Sequence, residues 1–535
     1  MNAKRHGGAF WPKTPGAEGG TIIMNMHALS FAALCAGLAA CAALPDGASL
    51  SSVEAKSRQA HTPYRLFAKP PAPSTWVGDL MPMGNGDTIE LYFLADERDG
   101  RPGGFHPIHK FSTADLLHYR YDGEAIPWAR DPGEPDLAIG TGSVIVINGT
   151  CHAFYTGHNP RNWNSPRPVE TVMHAVSADS ITFTKIKGDT FHAPPRYEQN
   201  DFRDPFVFWN AQAGEYWMLI AARKTFGRGV IAVFRSADLS HWTLREPPLY
   251  EPYTGWMLEC PDLFEMGGRW YLIYSDIDDR YAHYVMSESP AGPWHRPPGD
   301  DTFDGQAFYA PKTAALGGKR YLFGWIPTKD GERDENGYGW GGNLGALEIH
   351  QNDDYTLSVK MPEPFSGYFS ETREPLPASL IGNASLEGGI ARLSGGARPA
   401  GVDFGETPPS LLFEAEVTFG GLSRGAAFAV GAPGSCERWL GVSLDPVRNL
   451  IRYDSVPLAR MKGASPRIAT PFPFRRNVPF NLKVLIEKDI LVIYVDEKKA
   501  LSNRIYAMPG AHFGVFSLGG KVTFSDLRMR VPGGN

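Results

Sequence analysis

Cysteine is scarce in this 535-residue chain, with five in all. Cys35 and Cys41 fall in an apolar N-terminal stretch, which leaves Cys151, Cys260 and Cys436, far apart and odd in number. That excludes a disulfide framework, and no spacing resembles a zinc site. Basic tracts are missing too: 52 Lys and Arg against 58 Asp and Glu give a formal net charge of −6, with the cations scattered. Such a chain has no electrostatic footprint for nucleic acid or an anionic membrane surface. Long helical periodicity is nearly absent, which points away from helical folds.

What is present is an ordinary soluble composition, 42% apolar and 21% charged, with 12% aromatic residues. The length exceeds one compact core, so two domains are expected. The stretch "HALSFAALCAGLAACAALPDG" (27–47) reads as a secretory leader, because it is too short and too rich in small residues for a membrane span. Within it "LAAC" (38–41) looks like a lipobox, which would acylate Cys41; plain cleavage after "ACA" is the alternative. Residues 1–60 are therefore assigned to leader and linker, and the protein to an exported location, periplasmic, cell-surface or secreted.

Short apolar runs recur between Gly, Pro and Asp turns: "IELYFLAD", "CHAFYTGH", "YWMLIAAR", "WYLIYSDI" and "RYLFGWIP". Their separations of roughly 50 to 64 residues suit four-stranded propeller blades with long loops. A second phrase follows the first four: "FSTADLLHY", "AVSADSITF", "FRSADLSHW" and "VMSESPAGPW". Two elements recurring in one order predict a five-bladed β-propeller over 61–365. Beyond it, "FEAEVTF", "RWLGVSLD" and "FNLKVLIEKDILVIYVDEKKAL" alternate without that phrase, which predicts a β-sandwich over 366–535. The fold class is all-β.

A propeller gathers its innermost strands around a central funnel. Candidate innermost strands open at "WVGDLMPM", "TGSVIVI", "FRDPFVF", "ECPDLFEM" and "FYAPKTAAL". Three of them offer an acid at what reads as one equivalent position, namely Asp79, Asp204 and Glu259, while the others offer Ser143 and Tyr309. Each acid alone has a structural reading, Asp204 before Pro205 being a common turn residue. Together they suit glycosidic hydrolysis, in which one carboxylate attacks or activates water, a protonated one donates to the leaving oxygen, and a third steadies positive charge. Glu259, flanked by Trp256, Cys260 and Pro261, sits in an apolar setting that would raise its pKa and suit the acid. Arg203 would keep Asp204 ionised.

"FRDPFVF" and "ECPDLF" resemble the Arg-Asp-Pro and Glu-Cys motifs of glycoside hydrolase family 32, the invertases, inulinases and levanases. "GFHPIHKFSTADLLHYRYDGEAIP", "FYAPKT" with "RYLFGWIP", and the C-terminal alternating strands extend the likeness over most of the chain. The resemblance implies Asp79 as nucleophile, Asp204 as transition-state stabiliser and Glu259 as acid/base in retaining hydrolysis of β-fructofuranosidic bonds. It implies Trp76, Arg203, Cys260 and Tyr309 in binding; Ser143 is a further binding candidate from its place on the second inner strand. It implies no metal and no organic cofactor, and a fructan or fructooligosaccharide as partner. Two departures stand out. Gly78 replaces an Asn that would bind a fructosyl hydroxyl, and Ala307 replaces an Asp before "FYA"; sucrose specificity therefore does not carry over. Three alternatives stay open: a fructosyltransferase, an inverting arabinan- or xylan-directed hydrolase of the related five-bladed family 43, and a glycan-binding surface protein without catalysis.

Overall fold

The computed structural model describes residues 64–98, 105–253, 255–433, 436–461 and 464–533. The leader, with Cys35, Cys41 and the acylation expected there, lies outside the described residues. Among the described residues no helix is long and apolar enough to cross a membrane.

Five successive antiparallel groups of strands come first. Their first strands are Thr75–Asn85, Ala138–Ile147, Tyr197–Asn210, Leu258–Met266 and Tyr309–Leu316. These five touch one another in sequence, and the last touches the first, so they close a ring around an axis. That is a propeller, with each first strand innermost. The second strands, such as Thr88–Glu97 and Glu215–Lys224, are buried along nearly their whole length. Neighbouring blades cover both of their faces, which explains why they read as continuous apolar runs instead of alternating ones. Outer strands such as Thr243–Tyr250 are largely exposed.

The recurring Ser/Thr-x-Asp phrase is a turn that ends the third strand. Asp179 Oδ1 accepts from the Ile181 and Thr182 N–H groups and from Ser177 Oγ–H at 2.7 Å. Asp238 does the same for Ser240, His241 and Ser236, and Asp115 for Leu117 and His118. One side chain thus satisfies donors that a sharp turn would leave unpaired. The fourth copy has no Asp; there the Ser289 N–H reaches Ser287 Oγ.

A short helix, Glu363–Tyr368, leads into the second domain, a β-sandwich. Its last strand, His512–Val531, serves both sheets: residues up to Gly519 pair with Gly425–Gly431 and Ala400–Glu406, and those from Gly520 pair with Ser410–Phe419 and Ile390–Gly395. The crossing falls at Gly519 and Gly520, whose φ values of 147° and 75° suit glycine. Val492, Tyr494 and Ala500 of the sandwich share one buried cluster with Phe303 and Val359 of the propeller. Buried Arg504 spans the seam from Asp489 to Asn343 and the Pro327 carbonyl. The Glu487 carboxylate accepts three successive N–H groups, from Arg65, Leu66 and Phe67, and so pins the segment that enters the propeller.

Candidate active site

Every innermost strand carries a bulge. The register jumps between Val77 and Leu80, Gly140 and Gly142, Arg203 and Phe206, Glu259 and Asp262, and Tyr309 and Lys312. In the last three, the first extra residue (Asp204, Cys260 or Ala310) has φ of 60°, 53° or 51°, and proline follows it. Holding a non-glycine residue there costs about 1–2 kcal/mol. Bulges of this kind bend the strand and re-aim its side chains.

The bulges correct the expected alignment of the acids. Glu259 stands immediately before its bulge, as do Arg203 and Tyr309 in their strands. Asp204 is the first bulge residue, in register with Gly78, Cys260 and Ala310. Asp79 is the second, in register with three prolines. The three acids thus occupy three different positions in and beside one repeated bulge, yet they converge closely enough for their charges to act on one another.

Their partners define the pit. Glu259 accepts from Tyr309 Oη at 2.7 Å and from Arg203 Nη2 at 2.9 Å. Asp204 Oδ2 accepts from the Cys260 N–H at 2.9 Å, with Cys260 Sγ at 3.6 Å, while its own N–H donates to Thr156 Oγ1 at 2.8 Å. Asp79 Oδ1 accepts from Trp325 Nε1 at 2.8 Å, and the Trp325 ring packs edge-on to Tyr309 at 5.8 Å. The Arg280 guanidinium lies 3.4 Å from the Tyr309 ring centre. Buried Lys312 donates to the Gly142 carbonyl at 2.5 Å, and its charge acts on both Asp79 and Asp204.

Electrostatics sort the acids differently from the expectation. Burial, and next the charge of Asp204, push Asp79 up to about 7, against the Trp325 hydrogen bond and Lys312. Burial also pushes Asp204 up to about 6, although Arg203 and Lys312 pull it down. Burial raises Glu259 as well, but Arg203, Arg280 and the Tyr309 hydroxyl outweigh it and hold the carboxyl below its usual range. The apolar wall expected around Glu259 is missing because Trp256 is half exposed and stacks on Arg223 instead. Arg203 pairs directly with Glu259, and with Glu170 and Asp201 at 3.4 Å, so its main ion pairs are not with Asp204.

Two other expected binding residues face elsewhere. Trp76 lies one position before the residue in register with Glu259, so strand alternation turns it away. Lys69 Nζ sits 3.7 Å from its ring centre, with Arg504 of the sandwich at 5.6 Å. Ser143 is buried, and its Oγ accepts the Val207 N–H at 2.9 Å, tying the second blade to the third. Cys260 positions Asp204; its thiol is pushed well up by burial and stays neutral. Sequence reasoning missed Lys312, Arg280, Trp325 and Trp340. An isolated Lys inside "YAPKTAAL" was the one available signal. Gly78 has a structural cause: a Cβ there would lie 2.2 Å from the Trp340 ring, so the indole fills the space of a larger side chain. A separate recess of about 770 Å³ opens at the domain seam among Tyr284, Asp300, Phe472 and Lys499, and it contains none of the three acids.

A ring of strands that brings three carboxylates, two arginines and a lysine into one pit beside aromatic walls is the architecture of a glycoside hydrolase. The chain belongs to glycosyl hydrolase family 32: the model of that family's N-terminal domain matches residues 84–355, a span that carries Asp204 and Glu259 and opens after Asp79. Among curated proteins it is 24% identical over 477 residues to sucrose-6-phosphate hydrolase of Escherichia coli, covering 84% of this chain and 91% of that protein. To raffinose invertase of Escherichia coli it is 30% identical over 315 residues, covering 54% and 62%. The solved structure of fructan 1-exohydrolase IIa from Cichorium intybus matches with a TM-score of 0.69 at 15% identity, over 88% of this chain and 98% of that one; at that identity the likeness concerns the fold.

Proposed function

We propose that this enzyme hydrolyses β-fructofuranosidic bonds of fructans or fructooligosaccharides with retention of configuration. Asp79 attacks the anomeric carbon, Glu259 protonates the leaving oxygen and later activates water, and Asp204 steadies the oxocarbenium-like charge. The observation that supports this reading is the occurrence of Asp79 and Asp204 in, and Glu259 directly before, the bulges of three strands of one ring. Arg203 and Tyr309 orient the acid/base, and Trp325 orients the nucleophile. Export, with acylation of Cys41, belongs to the same proposal; Cys41→Ser then moves activity from membrane to soluble fractions.

The first half-reaction needs a proton on Glu259 and a charge on Asp79, whereas burial and the charges around the two groups favour the reverse. The reactive form is therefore a minor arrangement of the singly protonated cluster, and substrate hydroxyls donating to Asp79 would enrich it. The cluster carries that single proton between about 6 and about 7. We expect kcat/KM to follow a bell with limbs near those values. Trp325→Phe removes a bond that lowers Asp79, so its alkaline limb moves upward by up to about one pH unit. A limb that stays put or moves down would contradict the role given to Trp325.

Release of reducing sugar from sucrose, inulin and levan, with product analysis at high substrate concentration, tests the reaction. Fructose as the product supports hydrolysis, while longer oligosaccharides would mean transfer. In aqueous methanol, retention gives methyl β-fructofuranoside, whereas the α-anomer would overturn the mechanism.

A further inference from the structure

Three exposed aromatic residues lie on two hydrogen-bonded loops, and one of them, Trp256, is linked through charged side chains to Glu259. Trp256 is 51% exposed, Tyr253 93% and Phe226 99%. They sit on two neighbouring loops joined by the Gly229 N–H to the Gly255 carbonyl at 3.1 Å and by Arg228 Nη1 to the Tyr253 carbonyl at 2.6 Å. Single exposed apolar residues are ordinary. This group differs in that its two loops are tied to each other and Trp256 is connected to Glu259.

Arg223 covers one face of Trp256 at 4.1 Å from the ring centre, and Asp278 accepts the Trp256 N–H at 2.9 Å. Arg223 is itself gripped by Asp201 at 2.7 Å and reaches Glu198 at 3.5 Å. Asp201 meets Arg203 at 3.4 Å, and Arg203 donates to Glu259 at 2.9 Å. A continuous chain of ion pairs therefore runs from the acid/base to the indole. Phe226 is held outward on a backbone with φ of 57°, its N–H donating to Glu198. Rigid, amphipathic rings with a free face lose little freedom on binding and stack well on the C–H faces of sugars.

In the acid role Glu259 touches the glycosidic oxygen, so whatever follows that oxygen extends along Glu259's side of the pit. Trp256 is linked to Glu259 through Arg203, Asp201 and Arg223, so the platform stands back from the glycosidic oxygen. We propose that Trp256, backed by Arg223 and flanked by Phe226 and Tyr253, forms a subsite for the second leaving-side unit of a fructooligosaccharide. The subsite favours chains over sucrose. This rests on the fructosidase reading above.

The test compares Trp256→Ala with wild type on sucrose and on a fructose-containing tetrasaccharide. The variant loses roughly 3- to 10-fold in kcat/KM on the tetrasaccharide, carried by KM, and changes less than about 2-fold on sucrose; Trp256→Phe recovers part of the loss. Equal losses on both substrates, or none on the tetrasaccharide, would overturn the subsite while leaving the fructosidase reading intact. Wild-type enzyme that cleaves neither substrate would overturn both.

Discussion

Asp79→Asn leaves a folded protein whose turnover of a β-fructofuranoside falls by roughly 10⁴- to 10⁶-fold. The amide matches the carboxylate in shape and still accepts from Trp325, so the propeller does not need the charge. It removes one of three crowded carboxyls, and burial and the charge of Asp204 already push Asp79 up to about 7; stability at neutral pH should rise slightly or stay level. Activity, by contrast, has no substitute, because Asp204 is committed to the Cys260 N–H and Glu259 to Arg203 and Tyr309. Thermal unfolding and single-turnover kinetics measured together separate the two effects. Activity within tenfold of wild type would move the nucleophile elsewhere.

Glu259→Gln has a different signature. With a sugar as leaving group, kcat/KM falls roughly 10²- to 10⁴-fold, because an alkoxide must depart without a proton. With a nitrophenolate leaving group the first step needs no acid and stays near the wild-type rate. The second step, which needs a base for water, becomes limiting, so a burst of nitrophenol precedes a slow steady state. A uniform loss on both substrates would reassign Glu259 to binding. Arg203 sharpens the case: in the ionised enzyme it faces a carboxylate, and in the variant it faces a neutral amide beside Glu170 and Asp201.

Much of the architecture could be read from the chain because it rests on local chemistry. The Ser-x-Asp phrase recurs since each copy closes the same turn with its own carboxylate, and doubly covered second strands read as apolar runs. That the acids lie on inner strands was legible as well, although Asp204 falls in the middle of its strand and not at its opening. Their orientation was not. Which of three adjacent residues points into the funnel depends on how the bulge pairs with the next strand, and Asp204-Pro205 looks like a simple corner until Arg203 and Phe206, on either side of it, are seen pairing with Ala221 and Leu219. Long-range electrostatics were equally hidden. Trp256 precedes Glu259 by three residues and suggests shelter, yet it turns outward to Arg223, and the guanidinium that governs Glu259 comes from another blade. Gly78 was noticed as a departure, but its cause, the Trp340 ring, lies on the last blade.

The central claim is that Asp79 forms a covalent bond to the sugar. Acid quenching of Glu259→Gln during the burst with nitrophenyl β-fructofuranoside, followed by peptide mass analysis, tests it directly. The account predicts a peptide containing residues 75–85, heavier by one anhydrofructose unit and modified at Asp79. A burst with no adduct on that peptide, or with the adduct on Asp204, would contradict it.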